Sequence, residues 1–248
     1  MVSDAPRWVS ARRSLIRRLH HVPALYLITG ICGLIDATSF LCFGEVFVEM
    51  VTGNLVFLAF FVGTGHPIAH LRTYIEVIVA FAIGAVLGGH LLRWGETKPR
   101  LGFLVEWVLL VSVFLIAVIL EPGPHGPVRW IVVSLLAVAM GLQNALIRRH
   151  GVPDLATNVM TLTFTGLIAE SRVAGGASER WKRRLGSVGT FFVGAALGAL
   201  LATEVGPWAS LAVTVVLFTI ALAGLTVPQE ARSEGADKER RTQAAAAD

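Results

Sequence analysis

Apolar residues run along this chain in eight long blocks that are separated by short polar or Pro/Gly-rich connectors. The blocks cover about residues 23–43, 46–65, 74–94, 101–120, 128–147, 155–170, 185–203 and 207–226. A helix needs about 20 apolar residues to cross a hydrocarbon layer of about 30 Å, and a backbone inside lipid must satisfy its own hydrogen bonds. The pattern therefore predicts an all-α, polytopic bundle of transmembrane helices.

The composition favours an integral membrane protein over a soluble one. Of the 248 residues, 54% are hydrophobic and only 15% are charged, whereas soluble domains have about 25% charged residues. The net charge of +4 does not indicate a nucleic-acid partner, because the basic residues flank the apolar blocks. There they follow the positive-inside rule and meet anionic lipid headgroups. The predicted partner is the lipid bilayer, and a homo-oligomer is compatible with the pattern.

Charge and periodicity divide the chain into four regions. Residues 1–22 predict a basic amphipathic arm on the cytoplasmic membrane surface. Residues 23–120 and 128–226 each hold four apolar blocks, and we interpret them as two transmembrane repeats. Residues 228–248 are charged, Ala-rich and without apolar periodicity, which predicts a disordered cytoplasmic tail.

Three short motifs recur in the same order in the two halves. GLIDA at 33–37 matches GLQNA at 141–145 with an offset of 108, and TGN at 52–54 aligns with TLT at 161–163 with an offset of 109. GAVLG at 84–88 matches GAALG at 194–198 with an offset of 110. Because the order is kept and the offset drifts by only two residues, the motifs predict an internal duplication, a construction principle of membrane transporters.

The number of crossings stays open between eight and six. Eight crossings with a cytoplasmic N-terminus leave five basic residues outside: Arg93, Lys98, Arg100, Arg148 and Arg149. If 46–65 and 155–170 are partial helices that do not cross, only Arg72 and Arg129 remain outside, which the positive-inside rule prefers. Each half then has three spans and the halves are inverted. The length of 46–65 argues the other way, although Gly53 and Asn54 at its middle allow a break.

Asp36 is the sharpest candidate for function, because a carboxylate at the centre of a membrane helix costs about 2.5–3.5 kcal/mol. Its repeat partner Asn144 is preceded by Gln143. This pairing predicts a polar site between the halves for a proton, a cation or a substrate. A helix–helix hydrogen bond made by a protonated Asp36 is the alternative.

The TGN motif is the second candidate, because a Gly-Asn pair in an apolar block permits left-handed backbone and frees carbonyl groups. Such backbone is tolerated at membrane depth where it is buried in protein or lines a cavity. A tight helix crossing is the alternative, and the equivalent stretch around Thr161 is rich in hydroxyl groups. The predicted substrate-binding residues are Asp36, Thr52, Asn54, Gln143, Asn144 and Thr161.

The remaining polar residues and glycines receive structural interpretations. For Glu45, Glu49, His90 and Glu106 we favour hydration or snorkelling near an interface over a relay role. His66 and His70 have metal-pair spacing but no evident third ligand, so we predict no metal and no cofactor. Small residues at helical spacing predict close packing of segment 3 against segment 7. The predicted helix-packing glycines are Gly33, Gly84, Gly88, Gly141, Gly194 and Gly198.

These motifs resemble the YoaK family of bacterial membrane proteins. The resemblance rests on Gly33, Asp36 and Ala37, followed by FV at 47–48 and TGN at 52–54, and on GLQNA with its Thr-rich continuation. It covers about residues 24–226 and implies a multi-pass protein of the bacterial cytoplasmic membrane with a transporter-like helical core. From the distribution of basic residues we predict that both termini are cytoplasmic. It implies no substrate and no catalytic residue, because the family is of unknown function. LT at 162–163 departs from the family pattern, which has a Gly-containing turn there.

The sequence leads to a small transporter or permease-like protein with a polar site between the repeats as the first hypothesis. A non-transporting scaffold or partner subunit is the alternative. A membrane-embedded enzyme is the weakest hypothesis, because no P-loop, dinucleotide fingerprint, H-E-x-x-H or G-x-S-x-G motif occurs. We therefore predict that the chain is not an enzyme.

Overall fold

A computed structural model of the chain describes residues 22–64, 71–93, 98–123, 126–150, 160–178 and 180–226. These residues form eight α-helices and a short 3-10 helix, with no strand among them. The α-helices are α1 (Val22–Cys42), α2 (Val51–Thr64), α3 (Leu71–Arg93), α4 (Lys98–Leu120), α5 (Pro127–His150), α6 (Met160–Ala169), α7 (Trp181–Glu204) and α8 (Pro207–Thr226). The predicted N-terminal arm, C-terminal tail and His66–His70 pair lie outside the described residues.

Six of these helices, α1, α3, α4, α5, α7 and α8, are long and apolar enough to cross a membrane. The predicted all-α transmembrane bundle is therefore confirmed. Helices α2 and α6 have 14 and 10 residues, which correspond to about 21 and 15 Å. Both are shorter than the hydrocarbon core of about 30 Å.

The chain between α1 and α2 is not helical, and this shortens the second apolar block. α1 ends where Gly44 and Glu45 take left-handed backbone, with φ of 98° and 57°. The Glu45 N–H closes the last turn on the Phe40 carbonyl at 3.1 Å. Residues 43–50 then return along α1, and α2 begins only at Val51. Gly53 and Asn54 thus lie in the first turn of α2, so the helix break precedes them and does not fall between them.

The two most buried helices, α1 and α5, form the centre of the bundle. Two-thirds of the most apolar window of each is buried, against 22–33% for the other four long helices. α1 packs on α7 and α8, α5 packs on α3 and α4, and α4 also packs on α8. Contacts at both ends keep the chain order in α1 and α7, from Tyr26–Arg183 to Cys42–Ala202, so these helices run parallel.

The short helices lie on the outer members of the bundle. α2 packs on α3, where the rings of Phe57 and Tyr74 stack with centroids 5.4 Å apart. α6 packs on α7, where Arg184 donates to the Gly166 carbonyl at 2.6 Å and to Glu170 at 2.7 Å. Each short helix is therefore anchored to one long helix.

The small-residue ladders pack differently from the sequence prediction. The α3 ladder contacts α5, since a Cβ on Gly84 would overlap the Val138 carbonyl group. The α7 ladder contacts α1, since a Cβ on Gly194 would overlap the Gly30 carbonyl group. The predicted packing of segment 3 against segment 7 was wrong. The physical reason is that the central helices carry glycines of their own, and two small-residue faces let the backbones meet.

Those glycines are Gly33 of α1 and Gly141 of α5. A Cβ on Gly33 would overlap the Phe191 carbonyl oxygen of α7, and one on Gly141 would overlap the Phe81 carbonyl oxygen of α3. The α1–α7 and α3–α5 contacts are thus backbone-to-backbone from both sides.

Candidate functional site

The carboxyl group of Asp36 joins the middle of the bundle to the start of α2. Asp36 is 3% exposed, and its two oxygens accept hydrogen bonds from the backbone N–H groups of Glu49 at 2.8 Å and Met50 at 3.1 Å. These N–H groups belong to the last residues before α2, so an α1 side chain satisfies backbone that no helix pairs. Ser39, one turn further along α1, donates to the Val46 carbonyl at 2.9 Å and holds the same returning segment.

The side chain of Asn54 is engaged by the backbone of Phe47. Its Nδ2 donates to the Phe47 carbonyl at 2.6 Å, and its Oδ1 accepts from the Phe47 N–H at 3.0 Å. The Phe47 ring stacks on Phe40 with centroids 4.9 Å apart, and it fills the space beside Gly53. The TGN motif therefore fixes the extended segment against α1 and α2, with Gly53 admitting the ring and Asn54 pairing the backbone.

A cavity of about 390 Å³ lies where the starting ends of α2 and α6 face α3 and α5. Phe81 and Ala85, from the middle of α3, form part of its wall, which places it well inside the length of a membrane-spanning helix. Its lining residues are Glu49, Met50, Val51, Thr52, Phe81, Ala85, Asn144, Ala145, Arg148, Met160 and Thr161.

The lining combines an apolar wall with a few groups of defined charge. Arg148 near the end of α5 is exposed and supplies a guanidinium, and Glu49 supplies a carboxyl group that is 6% exposed. The N-terminal ends of α2 and α6 add partial positive charge, because the positive end of each helix dipole lies there. Thr52 and Thr161 add hydroxyl groups, and Asn144 adds an amide whose Nδ2 bonds to the Met140 carbonyl at 3.0 Å.

The predicted site residues are thus distributed over four places. Thr52, Asn144 and Thr161 line the cavity. Asp36 lies directly behind it and holds two of its lining residues by their backbone. Asn54 is bound to Phe47, and Gln143 points towards α1, where its Nε2 donates to the Cys32 Sγ at 2.9 Å.

Sequence reasoning missed Arg148 as a lining residue, since it entered only as a charge in the topology count. Its position three residues after the GLQNA motif, about one helical turn from Asn144, is the signal that points to it. Among the described residues no three His, Cys, Asp or Glu side chains lie together in a way that would hold a metal ion.

Comparison with known proteins agrees with this architecture. Residues 24–223 match the family described as "Protein of unknown function (DUF1275)". The chain belongs to this family. A relative from Bacillus subtilis (strain 168), the UPF0700 transmembrane protein YoaK, is 22% identical over 140 residues, which make up 56% of this chain. The chain spans 61% of the length of that relative, and no solved structure matches.

The resemblance to the YoaK family is therefore confirmed, and the chain is a multi-pass integral membrane protein that lies in a lipid bilayer.

Proposed function

We propose that this member of the DUF1275 family is a small transporter or permease-like protein, and that its solute-binding site is the cavity between α2 and α6. The observation that carries the proposal is the convergence of two short helices on one cavity at the middle of α3, whose apolar wall holds a few polar and charged groups. In many secondary transporters, discontinuous helices end near the bilayer midplane and direct their termini at the substrate.

Matching helix contacts in the two halves support the proposal. The contact of Gly84 with Val138 corresponds to that of Gly194 with Gly30 when the offsets of 110 and 108 are applied. The contact of Gly141 with Phe81 corresponds in the same way to that of Gly33 with Phe191. The starting ends of α2 and α6, which carry the aligned TGN and TLT motifs, both line the cavity. We infer that the halves 23–120 and 128–226 are related repeats and that the site lies between them.

The lengths of α2 and α6 favour six crossings and two partial helices. Each half then contributes three spans, so the halves are inverted and both termini lie on one side. The positive-inside rule makes that side cytoplasmic, since only Arg72 and Arg129 fall on the other. We place the protein in the bacterial cytoplasmic membrane on the same grounds and through its bacterial relative.

The lining favours a small zwitterionic organic solute. Arg148 and the start of α6 suit a carboxylate, Glu49 suits an amino group, and the wall of Val51, Phe81 and Ala85 suits an apolar substituent. The cavity volume of about 390 Å³ is within the range of about 300–1,000 Å³ that small-molecule sites occupy.

A non-transporting scaffold is the second candidate, and one observation favours it. Asp36 and Asn54, the two most polar predicted residues of the first half, bond to backbone of the same chain. Their presence is therefore explained without a solute. We propose no enzymatic activity, because the sequence carries none of the familiar catalytic motifs and the Asp36 carboxyl group is bound to backbone N–H groups.

The test is thermal unfolding of the purified protein in lipid nanodiscs against a panel of amino acids, carboxylic acids, amines and neutral solutes. We expect zwitterions to raise the unfolding temperature, and uptake of the same compounds into proteoliposomes. Ala85→Phe fills the cavity and removes the shift. Val86→Phe adds an aromatic ring to the next residue, which is 57% exposed on the outer face, and leaves the shift intact.

Two results would contradict the proposal. A solute that still stabilises Ala85→Phe binds elsewhere. If no solute of the panel stabilises the protein or is transported, the result supports the second candidate function, a non-transporting scaffold.

A further inference from the structure

A second polar site lies in the centre of the bundle, away from the cavity, and its main component is Glu106. Glu106 is the only acidic residue of α4 and is fully buried. Neither of its carboxyl oxygens has a hydrogen-bond partner among the described residues. Buried polar atoms are nearly always paired, and an ionised carboxylate in an apolar bundle is strongly unfavourable without a partner. The side chain therefore requires a ligand.

The helix packing brings Glu106 to the level of Gln143. Gly102 of α4 faces the Leu146 side chain of α5, and the short connection after Leu120 makes α4 and α5 antiparallel. One turn forward on α4 leads to Glu106, and one turn back on α5 leads to Gln143, so the two residues lie on facing sides at the same depth.

Gln143 also has an unsatisfied atom at this position. It is fully buried, and its Nε2 donates to the Cys32 Sγ. Its Oε1 has no hydrogen-bond partner among the described residues. Both facing groups thus offer acceptor oxygens, and neither supplies a donor to the other.

We propose that Glu106 and Gln143 form a proton-binding site. A proton on the Glu106 carboxyl group removes the charge and provides the O–H donor that the Gln143 Oε1 lacks. A metal cation fits less well, because hard cations take about six oxygen ligands and this pair offers three.

The ionisable residues of the helices that pack on α4 lie away from Glu106. α8 has no ionisable residue. On α3, Glu76 bonds to Ser134 near the start of α5, which is nine residues or about 13 Å from Gln143. The side chain of His90 is exposed and bonds to its own helix at the Val86 carbonyl. The other ionisable residues of the helices packed on α4 lie towards their ends: Arg72, Tyr74 and Arg93 of α3, and Arg129, Arg148, Arg149 and His150 of α5.

α5 connects the proton site to the cavity. Gln143 is followed directly by Asn144, which lines the cavity. A proton at Glu106 can thus influence the solute site through two successive residues of one helix. This coupling rests on the proposed transport function, whereas the proton site itself does not.

Infrared difference spectroscopy of the protein in nanodiscs tests the site without any solute. We subtract the spectrum of Glu106→Gln from that of the wild-type protein. We expect this difference spectrum to show the C=O band of a protonated carboxylic acid. The band shifts in D₂O, because the acid proton exchanges, and it disappears reversibly as the pH is raised. In Gln143→Leu the band remains but moves, because the acid has lost its hydrogen-bond acceptor.

Glu76→Gln is the matched control, because it changes a membrane carboxyl group that already has a Ser134 partner. It leaves the Glu106 band in place. A difference spectrum with only carboxylate bands at every accessible pH overturns the proposal, and so does a Gln143→Leu spectrum identical to wild type. Glu106→Gln keeps the shape of the side chain. Thermal unfolding of each variant shows whether its spectrum comes from folded protein.

Discussion

The carboxyl group of Asp36 accepts a hydrogen bond at 2.8 Å from the backbone N–H of Glu49, 13 residues further along the chain. A second bond, from the Met50 N–H at 3.1 Å, makes the same carboxyl group the link between the core of α1 and the beginning of α2. Glu49 and Met50 both line the cavity. The sequence predicts that Asp36 contacts a solute, but in the structure Asp36 holds two residues of the cavity wall in place through their backbone.

Asp36→Asn is expected to destabilise the protein. The amide keeps one acceptor oxygen and turns an NH₂ group towards a backbone N–H, so at least one of the two bonds is lost. The expected loss is about 1–3 kcal/mol, measured as unfolding in detergent by heat or by SDS. Ser112→Ala is the control, because the Ser112 hydroxyl bonds only to its own helix at an exposed position. If Asp36→Asn unfolds like wild type but loses solute binding, Asp36 contacts the solute directly.

Gly84→Ala and Gly194→Ala are expected to destabilise the protein by about 1–3 kcal/mol each, because the added methyl group overlaps backbone of the facing helix. Thermal unfolding in detergent measures both. The controls are Gly89→Ala and Gly189→Ala, on the same two helices, where an added Cβ meets nothing within 4 Å. These controls are expected to be neutral or to gain up to about 1 kcal/mol from helix propensity. Equal behaviour of all four variants would mean that the helices do not meet at these glycines.

Cysteine labelling at Thr64 and Gly123 is expected to occur from outside intact cells. Thr64 ends α2, and Gly123 follows α4. Both positions lie outside when α2 and α6 are partial helices, and inside when all eight helices cross. Cys32 and Cys42 are first replaced by alanine, so that Thr64→Cys or Gly123→Cys is the single cysteine of each variant. The measurement is the reaction of that cysteine with a membrane-impermeant maleimide added to intact cells.

Ala177→Cys is the reference for this labelling. Ala177 lies between α6 and α7 and is exposed. It is cytoplasmic with six or with eight crossings, so it is expected to react only after the cells are opened. Protection of Thr64→Cys and Gly123→Cys in intact cells would establish eight crossings and parallel halves.

Asn54→Leu and Asn144→Leu are expected to separate stability from binding. Asn54→Leu leaves the half-buried N–H and C=O groups of Phe47 without their partner, at about 1 kcal/mol for each unsatisfied group. Asn144→Leu removes an amide that bonds only to the carbonyl of its own helix, so its unfolding temperature changes little while solute binding weakens. Thermal unfolding with and without solute measures both effects, and a reversed pattern would place the solute at Asn54.

Much of the fold is predictable from the apolar blocks alone. The last block, 207–226, has the bounds of α8, and the blocks at 23–43 and 101–120 differ from α1 and α4 by at most three residues. The second block fails at its start, because 46–50 is as apolar as a helix but forms backbone bonds with Asp36 and packs Phe47 on Phe40. Hydropathy measures only the preference for lipid and does not distinguish a helix from an extended segment that is buried in protein.

The sequence by itself determined a membrane-embedded helical bundle and the residue types at its polar positions. Length and hydropathy are enough for this, because lipid demands internally paired backbone. The tertiary structure decided which helices meet. It placed the small-residue ladders on α5 and α1, aimed Asp36 at backbone, brought Arg148 to the cavity and buried Glu106 inside the bundle. These relations join residues from separate helices, and in a bundle whose helices are apolar on every side, no periodicity indicates which neighbour a given face will find.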